Sequence, residues 1–202
     1  MLARPIRVIF HIIRRLGPKW NRLWFDLVES STLREVSIGA GCRFQVPVRV
    51  GGGRGTLHIG ASTSLGYSMA VKLGLGTILL QPRSADARIV IGSNTAFSNN
   101  VTICANHEIR IGDDCLIGDL VAVYDTDFHE VHPCRRHAGP GKILPVIIGN
   151  NVWLGSRVMV LKGVSIGDNS VVAAGSIVTT SLPENCLAAG SPARVVRKLV
   201  QV

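Results

Sequence analysis

The chain has 202 residues, with 22 Lys+Arg against 13 Asp+Glu and a formal net charge of +9. That length makes one domain or a little more and can bury a core without a disulfide or metal staple. A charged fraction of only 17% excludes general disorder. Aromatic residues are 5% while Gly reaches 22, so the core must be built from Val, Ile, Leu and Ala, as in thin, repetitive β layers. The basic balance favours anionic partners such as acidic lipid or phosphorylated ligands. Nucleic acid is not expected, because no RRM, KH, zinc-finger or helix-turn-helix signature is present. Cys42, Cys104, Cys115, Cys134 and Cys186 are scattered and form no C-x-x-C pair, the usage of reduced thiols in a cytoplasmic protein.

Residues 1–35 read as an amphipathic helical segment. Ile6, Ile9, Phe10, Ile13, Leu16, Trp20, Leu23, Trp24 and Leu27 recur at three- and four-residue steps. Gly17–Pro18 breaks or kinks the run. The apolar stretch Val8–Ile13 is far short of the ~20 residues a membrane span needs, and no small-residue cleavage site follows it. Residues 1–30 carry a net +4. Two roles fit: a cap on the open end of a repeat domain, or a helix lying on the inner face of an anionic membrane with Trp20 and Trp24 at the interface.

From Ile38 a six-residue period takes over, an aliphatic residue followed by Gly: IGAGCR, IGASTS, LGYSMA, IGSNTA, IGDDCL, IGDLVA, IGNNVW, LGSRVM and IGDNSV. Hexads group in threes, because Ile148 and Ile166 lie 18 residues apart with nothing inserted. Ile38, Ile59, Ile91, Ile111, Ile148 and Ile166 are spaced 21, 32, 20, 37 and 18, which leaves insertions of 3, 14, 2, 19 and 0 residues. Three short flat strands per coil make a triangular tube with one aliphatic side chain per face pointing inward. The Gly after each aliphatic residue, or a nearby Asn or Asp, is expected to relieve the backbone at the corners. Stacked coils pair as parallel strands. The longest insertion, 129–147, is the natural place for chemistry, since a regular repeat gains nothing structurally from it.

This pattern resembles the hexapeptide-repeat family of left-handed parallel β-helices. The hexads, the segment VYDTDFHEVHPCRRH (123–137), the return GNNVWLGS (149–156) and the closing GSIVTTSLPENCLAAGSPARVVRKL (175–199) are similar to its acetyltransferase branch, which includes galactoside and polysaccharide O-acetyltransferases. The resemblance implies a mainly β chain of about six coils: helical residues 1–35, coils over 36–190 with the loop 129–147, and a tail over 191–202. It implies acetyl-CoA as donor, a sugar or glycolipid acceptor in surface-polysaccharide assembly, no metal, and a homotrimer with sites between neighbouring prisms.

His129, at the start of the loop, aligns with the catalytic histidine of that branch. Imidazole titrates near neutrality, so it can take a hydroxyl proton and pass it to the departing thiolate. Asp125, Asp127 and Glu130 flank it, and Asp127 is the expected orienting carboxylate. For the cofactor, Trp153, Gly155, Ser156, Ala174 and Thr179 align along the pantetheine arm, and Arg194 and Arg197 with the phosphates. For the acceptor, Ser98, Asn100 and Asn106 fall on the matching coil. Ser98 and Asn106 stand where galactoside-type enzymes carry a carboxamide and a carboxylate. Rival readings are a xenobiotic acetyltransferase, a covalent route through Cys134, a zinc hydratase using His107, His129, His132 and His137, and a scaffold without catalysis.

Overall fold

A computed structural model describes residues 17–67 and 76–200. The part of the amphipathic segment before Gly17 lies outside these, as does the second half of the LGYSMA hexad. Residues 17–24 are helical, and the chain continues through a wider turn, Phe25–Glu29, and a tighter one, Ser30–Thr32.

The coils then follow in order. The first is β1 (Glu35–Ile38), β2 (Arg43–Phe44) and β3 (Val48–Arg49); the second is β4 (Thr56–Ile59), β5 (Ser64–Leu65) and β6 (Ile78–Pro82). The third is β7 (Arg88–Ile91), β8 (Ala96–Phe97) and β9 (Thr102–Ala105); the fourth is β10 (Glu108–Ile111), β11 (Leu116–Ile117) and β12 (Ala122–Tyr124). The fifth is β13 (Val146–Ile148), β14 (Trp153–Leu154) and β15 (Met159–Val160); the sixth is β16 (Ser165–Ile166), β17 (Val171–Val172) and β18 (Ile177–Val178). A hairpin, β19 (Cys186–Gly190) and β20 (Ala193–Lys198), closes the stack. Sheet A collects the first strand of each coil, sheet B the second plus the hairpin, and sheet C the third. All pairs are parallel except β19 with β20. This is the parallel β-helix that the hexads predict.

The register follows the aliphatic period. Ile38, Ile59, Ile91, Ile111, Ile148 and Ile166 are successive partners down sheet A. Sheet B stacks Phe44, Leu65, Phe97, Ile117, Leu154 and Val172 in the same way. These side chains are buried, apart from the half-buried Ile38 at the end of the stack, so the core is a narrow column of branched aliphatics. Each added coil buries the column of the one before it, which is where the apolar stabilisation comes from.

The repeated glycines work differently from the expectation. Gly39, Gly60, Gly92, Gly112, Gly149 and Gly167 do not have positive φ. Coils approach so closely there that a Cβ would enter the next coil's backbone; one on Gly155 would sit 2.6 Å from Ala174 N. The left-handed corner positions come two residues later: Gly41, Ser62, Asn94, Asp114, Asn151 and Asn169. Asn tolerates that region better than most residues, and its amide links the coils: Asn151 Nδ2 donates to Asn169 Oδ1 at 2.9 Å, and Asn169 Nδ2 to Asn185 Oδ1 at 3.1 Å.

The helical residues cover the first coil. Phe25 is buried against Phe44, ring centroids 5.3 Å apart, and Asn21 Nδ2 donates to Phe44 O at 3.1 Å. Burial alone would raise the Glu29 carboxyl. The Val50 N–H at 2.9 Å and Arg49 Nη1 at 2.7 Å outweigh it and hold the group below its ordinary value.

Candidate active site

The segment between β12 and β13 begins at residue 125, so His129 lies inside the insertion, a few residues past its start. Its root is tied down by Asp125, which is completely buried. Asp125 Oδ1 accepts the Asn106 N–H at 2.8 Å, Oδ2 accepts the His107 N–H at 2.7 Å, and the backbone carbonyl accepts from Leu144 N at 2.9 Å. Burial pushes the carboxyl above its ordinary value against these N–H donors. Thr126 Oγ1 donates to Pro140 O at 3.0 Å and accepts from Phe128 N at 3.1 Å, which closes the loop on itself.

His129 is exposed, and its Nδ1 lies 3.0 Å from the carbonyl oxygen of Arg136. A carbonyl can only accept, so the proton belongs on Nδ1 and Nε2 is left with its lone pair. That orients a base without a carboxylate partner. Asp127, the expected orienting group, is turned elsewhere: its carboxylate pairs with Lys162 and its N–H donates to Lys142 O at 3.1 Å. The His129 and His137 rings stand 6.4 Å apart, and among the described residues no group of three His, Cys, Asp or Glu side chains is arranged around a common metal position. Cys134 is exposed and its N–H faces His132 Nδ1 at 3.3 Å; the five cysteines are free thiols.

The other nominated residues divide between edges of the prism. Asn106 shares the edge joining sheet C to sheet A with His129, and its N–H is held by Asp125 Oδ1. Ser98 and Asn100 lie on the edge joining sheets B and C. Asn100 has φ 58° and donates through Nδ2 to Asp119 Oδ1 at 3.1 Å. Near that edge Trp153, 53% exposed, and Leu116 line a shallow cleft of about 220 Å³ with Ser98 and Tyr67. Ser156 and Ala174 are exposed on that same edge, whereas Thr179, also exposed, follows β18 on the edge joining sheet C to sheet A. Gly155 is buried, and coil stacking alone accounts for it. Arg194 and Arg197 are on β20, a strand of sheet B where the sequence suggested a tail. At roughly 3.3 Å per residue, a strand of sheet C separates the Ser156 edge from the His129 edge by about 15 Å within one chain.

Two neighbours of His129 escape a reading of the sequence. Phe128 carries a φ of 64°, with Tyr124 edge-on at 5.3 Å. The Arg83 guanidinium lies over its ring, 5.3 Å from the centroid. Arg83 follows the long insertion of the second coil, so its place on this edge depends on a register that spacing alone leaves open.

A family model described as the hexapeptide repeat of succinyl-transferase matches residues 145–180. The galactoside O-acetyltransferase of Escherichia coli is 46% identical over 116 residues, 57% of each chain. That of Lactococcus lactis is 43% identical over 100 residues, 50% of this chain and 48% of its own. The matches thus span about half the length of these relatives. A galactoside acetyltransferase solved in complex with coenzyme A superposes with a TM-score of 0.56 at 29% identity, covering 93% of this chain and 81% of that one. The in-register coils, the interrupting loop and these relatives make the chain similar to hexapeptide-repeat acetyltransferases, with the repeat model itself matched over residues 145–180.

Proposed function

We propose that the chain transfers an acetyl group from acetyl-CoA to a sugar hydroxyl, with His129 as general base. The observation that carries this is the Arg136 carbonyl 3.0 Å from His129 Nδ1, which leaves Nε2 as the basic atom. Nε2 takes the hydroxyl proton as the acceptor oxygen attacks the thioester carbon. The C–S bond breaks, and the proton passes from Nε2 to the thiolate. The coenzyme A complex of the galactoside acetyltransferase supports this donor. Exposed Trp153, Ser156, Ala174 and Thr179 would line the pantetheine arm, with Arg194 and Arg197 toward the phosphates.

The separation of Trp153, Ser156 and Ala174 from His129 within one chain supports a homotrimer, in which the loop of one copy meets the Ser156 edge of the next. An acceptor in surface-polysaccharide assembly, made at the cytoplasmic face, suits the other end of the prism. There Trp20, Leu23, Trp24 and Leu27 are exposed along the helical segment beside Lys19, a surface fit for peripheral contact with anionic lipid. Among the described residues no helix is long and apolar enough to cross a membrane. A thiol-release assay with acetyl-CoA and a panel of sugar acceptors tests the transfer. Acceptor-dependent thiol release that disappears in His129→Ala is expected; release that ignores His129 would remove it from the mechanism. Sedimentation at micromolar concentration tests the trimer, and a monomer would count against the shared site.

A further inference from the structure

The charges around His129 are unevenly compensated. Asp125 spends both carboxylate oxygens on backbone N–H groups, and Asp127 is paired with Lys162. Arg135 and Arg136 are exposed in the same loop. Arg83 is exposed, and none of the ion pairs among the described residues includes it. Its side chain is nevertheless fixed. The guanidinium lies over the Phe128 ring, 5.3 Å from its centroid. The Arg83 backbone N–H donates to Ala105 O at 2.8 Å, which anchors the main chain from which the side chain extends. Phe128 is held in turn by Thr126 Oγ1 and Tyr124. A planar cation stacked on an aromatic ring, with no acid to neutralise it, is preorganised for a carboxylate or a phosphate. It stands beside the residue that precedes the proposed base.

Its level in the stack indicates which substrate it meets. Arg83 ends the second coil, the His129 loop leaves the fourth, and Arg194 and Arg197 lie beyond the sixth. Coils rise by about 4.8 Å each. A coenzyme with its phosphates at Arg194 and Arg197 reaches His129 from the far end, so Arg83 lies on the opposite side, toward the acceptor. We propose that Arg83 determines acceptor specificity, forming with the Phe128 ring a subsite for the anionic group of an acidic sugar. This rests on the acetyl transfer proposed above.

The test compares charged sugars with neutral partners by equilibrium titration in the presence of coenzyme A. One pair is methyl glucuronoside and its carboxamide; the other is glucose 1-phosphate and methyl glucoside. The pairs distinguish a carboxylate from a phosphate, and binding does not depend on which hydroxyl reacts. Wild type should bind the charged member of at least one pair tighter by ~10-fold or more, the worth of a charge-assisted hydrogen bond. Arg83→Gln should abolish that preference and Arg83→Lys should keep part of it, while acetyl-CoA affinity stays unchanged in both, which also reports that they fold. Equal affinity within both pairs in wild type, or a preference that survives in Arg83→Gln, overturns the subsite. Weakened acetyl-CoA binding in Arg83→Gln overturns its place on the acceptor side. Absence of acetyl-CoA binding in wild type overturns the transfer itself and the acceptor assignment with it.

Discussion

Two edges of the same prism follow opposite rules. From sheet A to sheet B, every coil turns with the same spacing, Ile38 to Arg43, Ile59 to Ser64, Ile91 to Ala96, Ile111 to Leu116, Ile148 to Trp153 and Ile166 to Val171. From sheet C to sheet A the connections differ, and one of them expands to hold His129. The uniform edge is saturated by its own neighbours. Asp113 Oδ1 accepts from Ser93 N at 2.6 Å, Asn150 Oδ1 from Asp113 N at 2.9 Å, and Asp168 Oδ1 from Asn150 N at 2.8 Å. Inside the same corner, Thr63, Thr95, Cys115 and Ser170 bond carbonyls of the next coil. An insertion there would break bonds in two coils at once, whereas an insertion at the variable edge needs only the Asp125 tie at its root.

The sharpest contrast comes from His129→Ala. Turnover should fall by ~10²–10⁴, the worth of a positioned general base, while thermal unfolding and acetyl-CoA binding stay unchanged. A parallel loss of stability would mean that the variable edge also holds up the coils. On the uniform edge the reverse is expected. A Cβ on Gly112 would lie 2.7 Å from the Gly149 carbonyl carbon. Gly112→Ala should therefore cost about 1–3 kcal/mol in denaturant unfolding, whereas Gly139→Ala in the loop, with nothing within 4 Å, should cost little. Equal costs at the two positions would erase the distinction between the edges. Arg194→Ala is expected to raise KM for acetyl-CoA more than it lowers saturated turnover; steady-state kinetics with varied acetyl-CoA would expose the opposite pattern.

Asp125 supplies a pH test of the loop's root. A carboxyl raised in the folded state contributes stability that is fully present below its unfolded pKa and is lost as pH rises through the folded one. The stability of wild type relative to Asp125→Asn should therefore be greatest at the acid end and decline from the carboxylate range toward neutrality. A difference that grows with pH would reverse the sign assigned to burial. The smallest effect is expected from Cys134→Ala, which should leave transfer nearly intact; abolished transfer there would replace direct attack by an acyl-thiol route.

The sequence made the repeated isoleucines legible because inward side chains must recur at the coil length, and all of them fall in one column. Asn and Asp do take the left-handed corners, and Gly66 does too, but Gly39, Gly60, Gly92, Gly112, Gly149 and Gly167 serve close approach instead, since hexad spacing does not separate a left-handed turn from a close approach of two backbones. His129 was visible because an insertion stands out against a period. Its support by the Arg136 carbonyl was not, because main-chain groups leave no mark on residue identity. Arg83 and Phe128 meet only through the stacking of coils two and four, whose offset lies hidden in the insertion after Leu65.

The closing hairpin has a further consequence. Strands that pair in register with copies of themselves have no inherent stopping point, and an open parallel edge invites another molecule to continue the ladder. In β20 the direction is reversed and the exposed face carries Arg194, Arg197 and Lys198. On sheet B a second prism arriving end-on would meet a strand of the wrong polarity that bears like charges. The hairpin therefore limits the length of the assembly, keeping a sequence built to propagate from growing into a fibre.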